Sequence, residues 1–240
     1  MSVIDLPTDL GHDDLARLVP GAQRILEIGA NDGEDTERLL RWHPRAKVDA
    51  FECDPRAIAK WRRRLTGRED RVLLFECALD EDEGEATFYQ STGRPPGRHE
   101  EWDKSGSLCR PTGHLEYSPW CTFDRRITVR TRTLDEWAAK WLGRAEVVDL
   151  VWMDTQGAEP RVIRGGPRTL ARTRFLKLEC HRQVMYEGAL LQDELLALLP
   201  EFELLGRYGD DLLLRNADAE FVAAEIVAAW CGDRGRVVRR

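Results

Sequence analysis

The chain has 240 residues, with 36 Lys and Arg against 43 Asp and Glu, a net charge of −7. With 42% hydrophobic and 33% charged residues, it is long enough to bury a core and reads as one large domain spanning 1–240. No apolar run is long enough to cross a membrane, no basic face is concentrated enough to point to nucleic acid, and the acidic start MSVIDLPTDLGHDD has no signal-peptide pattern. Cysteines 53, 77, 109, 121, 180 and 231 lie far apart with no C-x-x-C. That argues against a zinc ribbon and a disulfide scaffold, and it suits a reducing cytoplasm.

Taken in chain order, residues 1–23 read as an N-terminal extension. RILEIG (24–29) is a strand and EDTERLLRWH (34–43) a helix. KVDAFEC (47–53) is a second strand, and Asp54-Pro55 opens a helix through Leu65 with Ile58, Trp61 and Leu65 on one face. RVLLFECAL (71–79) reads as one continuous third strand. This β-α-β-α-β run predicts a Rossmann-like, doubly wound α/β fold with a mostly parallel sheet of about seven strands.

EATFYQ (85–90) and RITVRT (126–131) look like strands. The long loop between them, 91–124, is rich in Gly, Pro, Ser and Trp, as substrate lids often are. It brings His99, Trp102, Ser105, Ser107, His114, Tyr117 and Trp120. Then follow helix TLDEWAAKW (133–141), strand VVDLVWMD (147–154), a short helix from Pro160 and strand FLKLEC (175–180). Helix LLQDELLALL (190–199) comes next. FELLGRY (202–208) and DLLLR (211–215) form a hairpin-like pair that contributes an antiparallel strand, and a last helix covers about 219–230.

The sharpest motif is Glu27-Ile28-Gly29-Ala30-Asn31-Asp32-Gly33 at a strand-to-helix junction. Its G-x-x-x-G spacing differs from the G-x-G-x-x-G of dinucleotide binders, so a ligand with an amino acid moiety fits better than a pyrophosphate. Glu52 lies 19 residues beyond Gly33, at a strand end where doubly wound folds place an acid on ribose hydroxyls. Its two oxygens can serve both hydroxyls. Asp54, before Pro55, reads as a helix N-cap, and Asp149, inside a strand, as a structural acid.

ILEIGANDGEDT (25–36), VDAFECDP (48–55), LFECALDEDEGEATFY (74–89), RTLDEWA (132–138), VDLVWMDTQGAEPRVIRGG (148–166) and LKLEC (176–180) together resemble the FkbM family of class I S-adenosylmethionine-dependent O-methyltransferases. The D-x-Q-G-A-E box preceded by R-T-L-D-E carries most of the specificity. Two departures stand out. Cys53 replaces the Pro usual after the ribose acid, and the third strand ends Cys77-Ala78-Leu79 without the acid or amide that often contacts adenine. The resemblance implies S-adenosyl-L-methionine as cofactor and S-adenosyl-L-homocysteine as product. It implies that Glu27 and the backbone of Gly29, Ala30, Asn31 and Gly33 hold the methionine moiety. Glu52, with Cys53 beside it, takes the ribose, and Cys77, Ala78 and Leu79 border the adenine.

Asp154 ends the fourth strand of the parallel series; Glu179 and His181, two residues apart, end the fifth and project to one side. All three should converge where open α/β sheets bind ligands. His181 is the expected hydroxyl base, because its ordinary pKa is closest to neutrality. Asp154 would orient the base or accept from the acceptor hydroxyl. A divalent cation on Asp154, Glu179 and His181 is conceivable but not expected, and a zinc site from His99, Cys109, His114 and Cys121 matches no known spacing. The reading is therefore methyl transfer to a hydroxyl of a small molecule or sugar, with no nucleic-acid or membrane partner. N-methylation, modification of a macromolecule, and a non-catalytic binding subunit are the alternatives.

Overall fold

The computed structural model describes residues 19, 21–143 and 146–217. The last helix read at 219–230 and most of the N-terminal extension lie outside the described residues. Seven strands form the main sheet: β1 (Arg24–Ile28), β2 (Lys47–Glu52), β3 (Val72–Glu76), β7 (Val148–Met153), β8 (Thr173–Glu179), β9 (Phe202–Tyr208) and β10 (Asp211–Asn216), in the spatial order β3-β2-β1-β7-β8-β10-β9. β1, β2, β3, β7 and β8 run parallel; β10 is antiparallel to both β8 and β9. The sheet thus has the predicted class, with both hairpin strands joining it.

Period-two alternation explains why the sheet is buried on both sides. Leu26 and Ile28 of β1, with Val151 and Met153 of β7, enter one apolar cluster. Ile25 of β1, with Leu150 and Trp152 of β7, enters another. Two helices follow the glycine loop and β2. Helix α1 (Glu34–Trp42) starts at Gly33 and buries Thr36, Leu39 and Leu40. Helix α2 (Pro55–Arg64) buries Ala57, Ile58 and Trp61, and its N-cap Asp54 accepts from Arg56 N as predicted. No helix among the described residues is long and apolar enough to cross a membrane.

The third strand departs from its sequence reading. RVLLFECAL is broken at Cys77, whose N–H turns back to Phe75 O at 2.9 Å. β3 stays in the main sheet, while β4 (Ala78–Leu79) pairs with β6 (Cys121–Arg132) in a second sheet completed by β5 (Gly84–Gly93). β5 and β6 are longer than predicted, pairing from Gly84–Thr131 to Gly93–Cys121, so the connecting segment runs 94–120 and contains one short helix, α3 (His114–Tyr117). Further along lie α4 (Leu134–Trp141), α5 (Glu159–Arg164), α6 (Pro167–Leu170) and α7 (Gln192–Leu196). The small sheet packs its Phe88, Phe123 and Val129 against Ala158, Met185 and Tyr186 from the turns after β7 and β8.

Candidate functional site

The strand order reverses at β1, whose neighbours β2 and β7 lead in opposite directions across the sheet. Such a switch point opens a crevice at the carboxyl ends of the strands. Here the two strand ends are tied directly: Asp154 N donates to Ile28 O at 2.9 Å, and Gly29 N to Phe51 O at 3.0 Å. A cavity of about 370 Å³ lies there, lined by the glycine loop, the ends of β2 and β7, and residues 77–79.

Gly29 has φ 88°, and a Cβ built on it would lie 1.8 Å from the Asp154 carbonyl oxygen. Glycine is required because two backbones meet there, rather than because a ligand does. Asn31 (φ 42°) and Gln156 (φ 54°) are the only non-glycine residues with positive φ among those described, and both line the cleft. A left-handed conformation costs such residues roughly 1–2 kcal/mol, and it persists where surrounding contacts over-determine it.

Glu52 is buried at the cleft wall. Its Oε2 accepts from Asn31 N at 2.8 Å, and its Oε1 from Cys53 N and Asp54 N, both at 2.7 Å. A carboxylate offers about four acceptor positions. Three are occupied by backbone N–H groups, which leaves about one open. Glu27 lies beneath the loop rather than on its surface, 1% exposed, with Thr36 Oγ1 donating to its Oε2.

Burial pushes the Glu27 carboxyl up to about 8 and that of Glu52 up to about 7, from an ordinary value of 4.5. Both groups keep protons in the folded protein that the unfolded chain releases. Their stabilising contribution is full below 4.5 and is lost as pH rises through these values. Stability of the ligand-free protein is therefore expected to fall between about pH 4.5 and 8. Glu27→Gln should flatten that slope and raise the melting temperature at pH 8 more than at pH 5. Thermal unfolding across this range, with parallel curves for the two proteins, would contradict the assignment.

Asp154 lines the cleft. Glu179 and His181 do not, although the predicted convergence of the three is visible as a chain of contacts. Gln156 Nε2 donates to Asp154 Oδ1 at 2.8 Å and to Glu179 Oε2 at 2.5 Å. His181 Nε2 stands 3.9 Å from Glu179 Oε2, and its Nδ1 stands 3.5 Å from Asp210 Oδ2. Burial, then the charge of Asp154, hold the Glu179 carboxyl well above the usual carboxylate range. β8 ends at Glu179, and the imidazole of His181 stacks on Tyr186, centroids 6.3 Å apart, instead of turning into the cleft.

Asp149 accepts from Gln23 N, Arg24 N and Arg174, a structural acid. Glu159 caps the turn after Asp154 by accepting from Thr155 N and Oγ1. His114 is buried between Phe123 and Tyr186. No group of three His, Cys, Asp or Glu among the described residues is arranged to hold a metal ion.

Periodicity did not reveal Gln156, Tyr186 or the loop residues Asp103 and Lys104. Asn31 Nδ2 donates to Asp103 O at 3.1 Å, Lys60 pairs with Asp103 at 2.6 Å, and Lys104 pairs with Glu34 at 3.1 Å. Both loop residues line the cleft.

The cleft suits the cofactor that the sequence resemblance implies. Asn31 Oδ1, in the cleft lining, is a buried acceptor with no hydrogen-bond partner among the described residues, and an α-ammonium group is a donor. Phe51, Leu79, Phe88 and Leu108 give an apolar wall for a base. Asp32, Glu34, Asp35, Glu52 and Asp154 outnumber Arg38 and Lys104 in the lining, an acidic balance that favours a sulfonium.

Comparison with known proteins agrees. A methyltransferase FkbM domain model matches residues 27–209. The 2-O-methyltransferase NoeI of Sinorhizobium fredii (strain NBRC 101917 / NGR234) is 45% identical over 196 residues, covering 80% of this chain and 79% of NoeI. Two solved structures share the fold. Methyltransferase FkbM from Methylobacillus flagellatus KT has a TM-score of 0.50 at 15% identity over 81% of this chain; the match spans only 44% of that longer protein. Cofactor-bound Rv0187 from MTB has a TM-score of 0.50 at 14% identity, covering 88% of this chain and 84% of its own. With most of its length matched by one family model and by a relative this similar, the chain belongs to the FkbM family of S-adenosylmethionine-dependent O-methyltransferases.

Proposed function

We propose that the protein methylates a hydroxyl group of a small molecule or sugar, with Asp154 as the group that takes the hydroxyl proton. One observation carries the reading: Asp154 lines the same cleft as the glycine loop and Glu52. S-adenosylmethionine, when bound, supplies an electrophilic methyl group on a sulfonium. Asn31 would hold its amino group with Glu27 beneath the loop, Glu52 one ribose hydroxyl, and Cys53 and residues 77–79 would flank the adenosine. Asp154 then accepts the proton as the acceptor oxygen gains the methyl group. A positioned base typically contributes 10²–10⁴-fold.

This reverses the order read from the sequence. His181 reaches Asp154 only through Glu179, which bonds to Asp154 directly and through Gln156. Residues 94–120 act as the lid, because Asp103, Lys104, Gly106 and Leu108 from that segment form part of the cleft wall. Excluding water strengthens the electrostatic interactions inside. The reading requires no divalent cation. The relative NoeI is a 2-O-methyltransferase, which supports an oxygen acceptor. The test is incubation with S-adenosylmethionine and a panel of free and glycosidically linked sugars and hydroxylated metabolites, read by mass spectrometry. A product heavier by one CH₂, with the methyl on oxygen, is expected; a methyl group found only on nitrogen would overturn the reading.

A further inference from the structure

The D-x-Q-G-A-E box contains a residue that the cofactor and base assignments leave without a task. Gln156 adopts a left-handed backbone between Asp154 and Gly157, and its side chain meets both acids at once. An amide nitrogen carries two hydrogens, and here one goes to Asp154 and the other to Glu179. The carbonyl end must then face a donor, since turning the amide over would set its oxygen against two carboxyl groups. The donor within reach is Tyr186, whose single hydroxyl hydrogen is shared between Gln156 Oε1 at 3.0 Å and the Ser105 carbonyl oxygen of the lid segment at 2.9 Å.

Tyr186 is 0% exposed, and its ring is held on several sides. The His114 and His181 rings stand 5.7 and 6.3 Å away. A Cβ on Gly157 (φ 93°) would lie 2.9 Å from Tyr186 Cβ, so the glycine lets the ring approach. A buried tyrosine that cannot move makes its hydroxyl a fixed reference point for the amide.

We propose that Gln156 and Tyr186 are positioning residues: the Tyr186 hydroxyl fixes the Gln156 amide, and the amide clamps Asp154 to Glu179 so that Asp154 faces the acceptor. The proposal rests on Asp154 as the proton acceptor. Other charged groups face the pair: Lys177 on β8, Glu159 at the start of α5, and His181. None of them donates to both carboxyl groups as Gln156 does.

The test needs no acceptor. The carboxyl carbons of Asp154 and Glu179 are titrated by carbon-13 NMR in the full chain with S-adenosylhomocysteine bound, assigned through Asp154→Asn and Glu179→Gln. Wild type is compared with Tyr186→Phe and Gln156→Ala, and S-adenosylhomocysteine affinity is measured by calorimetry. An N–H donor favours the ionised form of a carboxyl group, so losing a well-aimed donor raises its midpoint. Tyr186→Phe should bind S-adenosylhomocysteine as wild type does, yet move the pair's midpoints upward by about half a unit or more. Gln156→Ala should move them further. Unmoved midpoints in either variant overturn the clamp. Lost S-adenosylhomocysteine binding in Tyr186→Phe overturns it as well, since the hydroxyl would then support the cleft as a whole. Failure of the hydroxyl-transfer reading would appear separately, as absent methylation with these titrations intact.

Discussion

Asp154→Asn is expected to lower kcat by about 10²–10⁴-fold while S-adenosylhomocysteine affinity changes little. The substitution keeps the size of the side chain and still offers an oxygen to Gln156 Nε2, so the 2.8 Å contact survives. What it loses is the capacity to take a proton. No neighbour is placed to replace it. Glu179 bonds to Gln156 and Asp154 but does not line the cleft, and burial, then the charge of Asp154, hold its carboxyl well above the usual carboxylate range. His181 is one contact further back, 3.9 Å from Glu179. His181→Ala should therefore cost much less than Asp154→Asn. Steady-state rates with the identified acceptor check both, and a larger loss in the histidine variant would return the base to His181.

Gly29→Ala is expected to abolish detectable cofactor binding and to destabilise the fold by about 2–5 kcal/mol, combining left-handed strain with overpacking. The new Cβ would meet the Asp154 carbonyl oxygen at 1.8 Å and its carbon at 2.9 Å. Backbone atoms cannot swing aside as a side chain can, so the ends of β1 and β7 must separate. That moves the glycine loop and Asp154 together. Gly67 provides the control: it has nearly the same φ, 81°, with nothing within 4 Å of a built Cβ. Gly67→Ala should show only the conformational strain, and its cofactor binding should match wild type. Melting temperatures and calorimetry on the two variants separate strain from collision; equal losses would mean that the close approach is unimportant.

The alternation of β-branched runs with amphipathic helices made the doubly wound core legible, because each strand carried its own period. Asp54 and Asp149 were legible for the same local reason, a cap before Pro55 and an acid inside a buried strand. The break at Cys77 was not. RVLLFECAL is continuously apolar, and only pairing with β6, more than forty residues later in the chain, pulls Ala78 and Leu79 into another sheet. The extra length of β5 and β6 was hidden in Ser91-Thr92-Gly93 and Cys121-Thr122-Phe123, whose composition reads as loop until the strands pair. For His181, strand parity gave the right side but not the right depth, since β8 ends at Glu179 and Tyr186 intercepts the ring. Tyr186 itself sits in a segment with no periodicity, and its contact with Gln156 joins residues thirty positions apart.

The central claim is that this cleft is the S-adenosylmethionine site, with Glu52 on the ribose. Calorimetric titration of S-adenosylhomocysteine into wild type and Glu52→Ala tests it most directly, with circular dichroism confirming that the variant is folded. At pH 8, above the Glu52 value of about 7, wild type should bind the ligand, and the variant should bind it more weakly by about 1.5–3 kcal/mol, the range for a hydrogen bond to a charged group. Unchanged affinity in a folded Glu52→Ala protein would place the cofactor elsewhere.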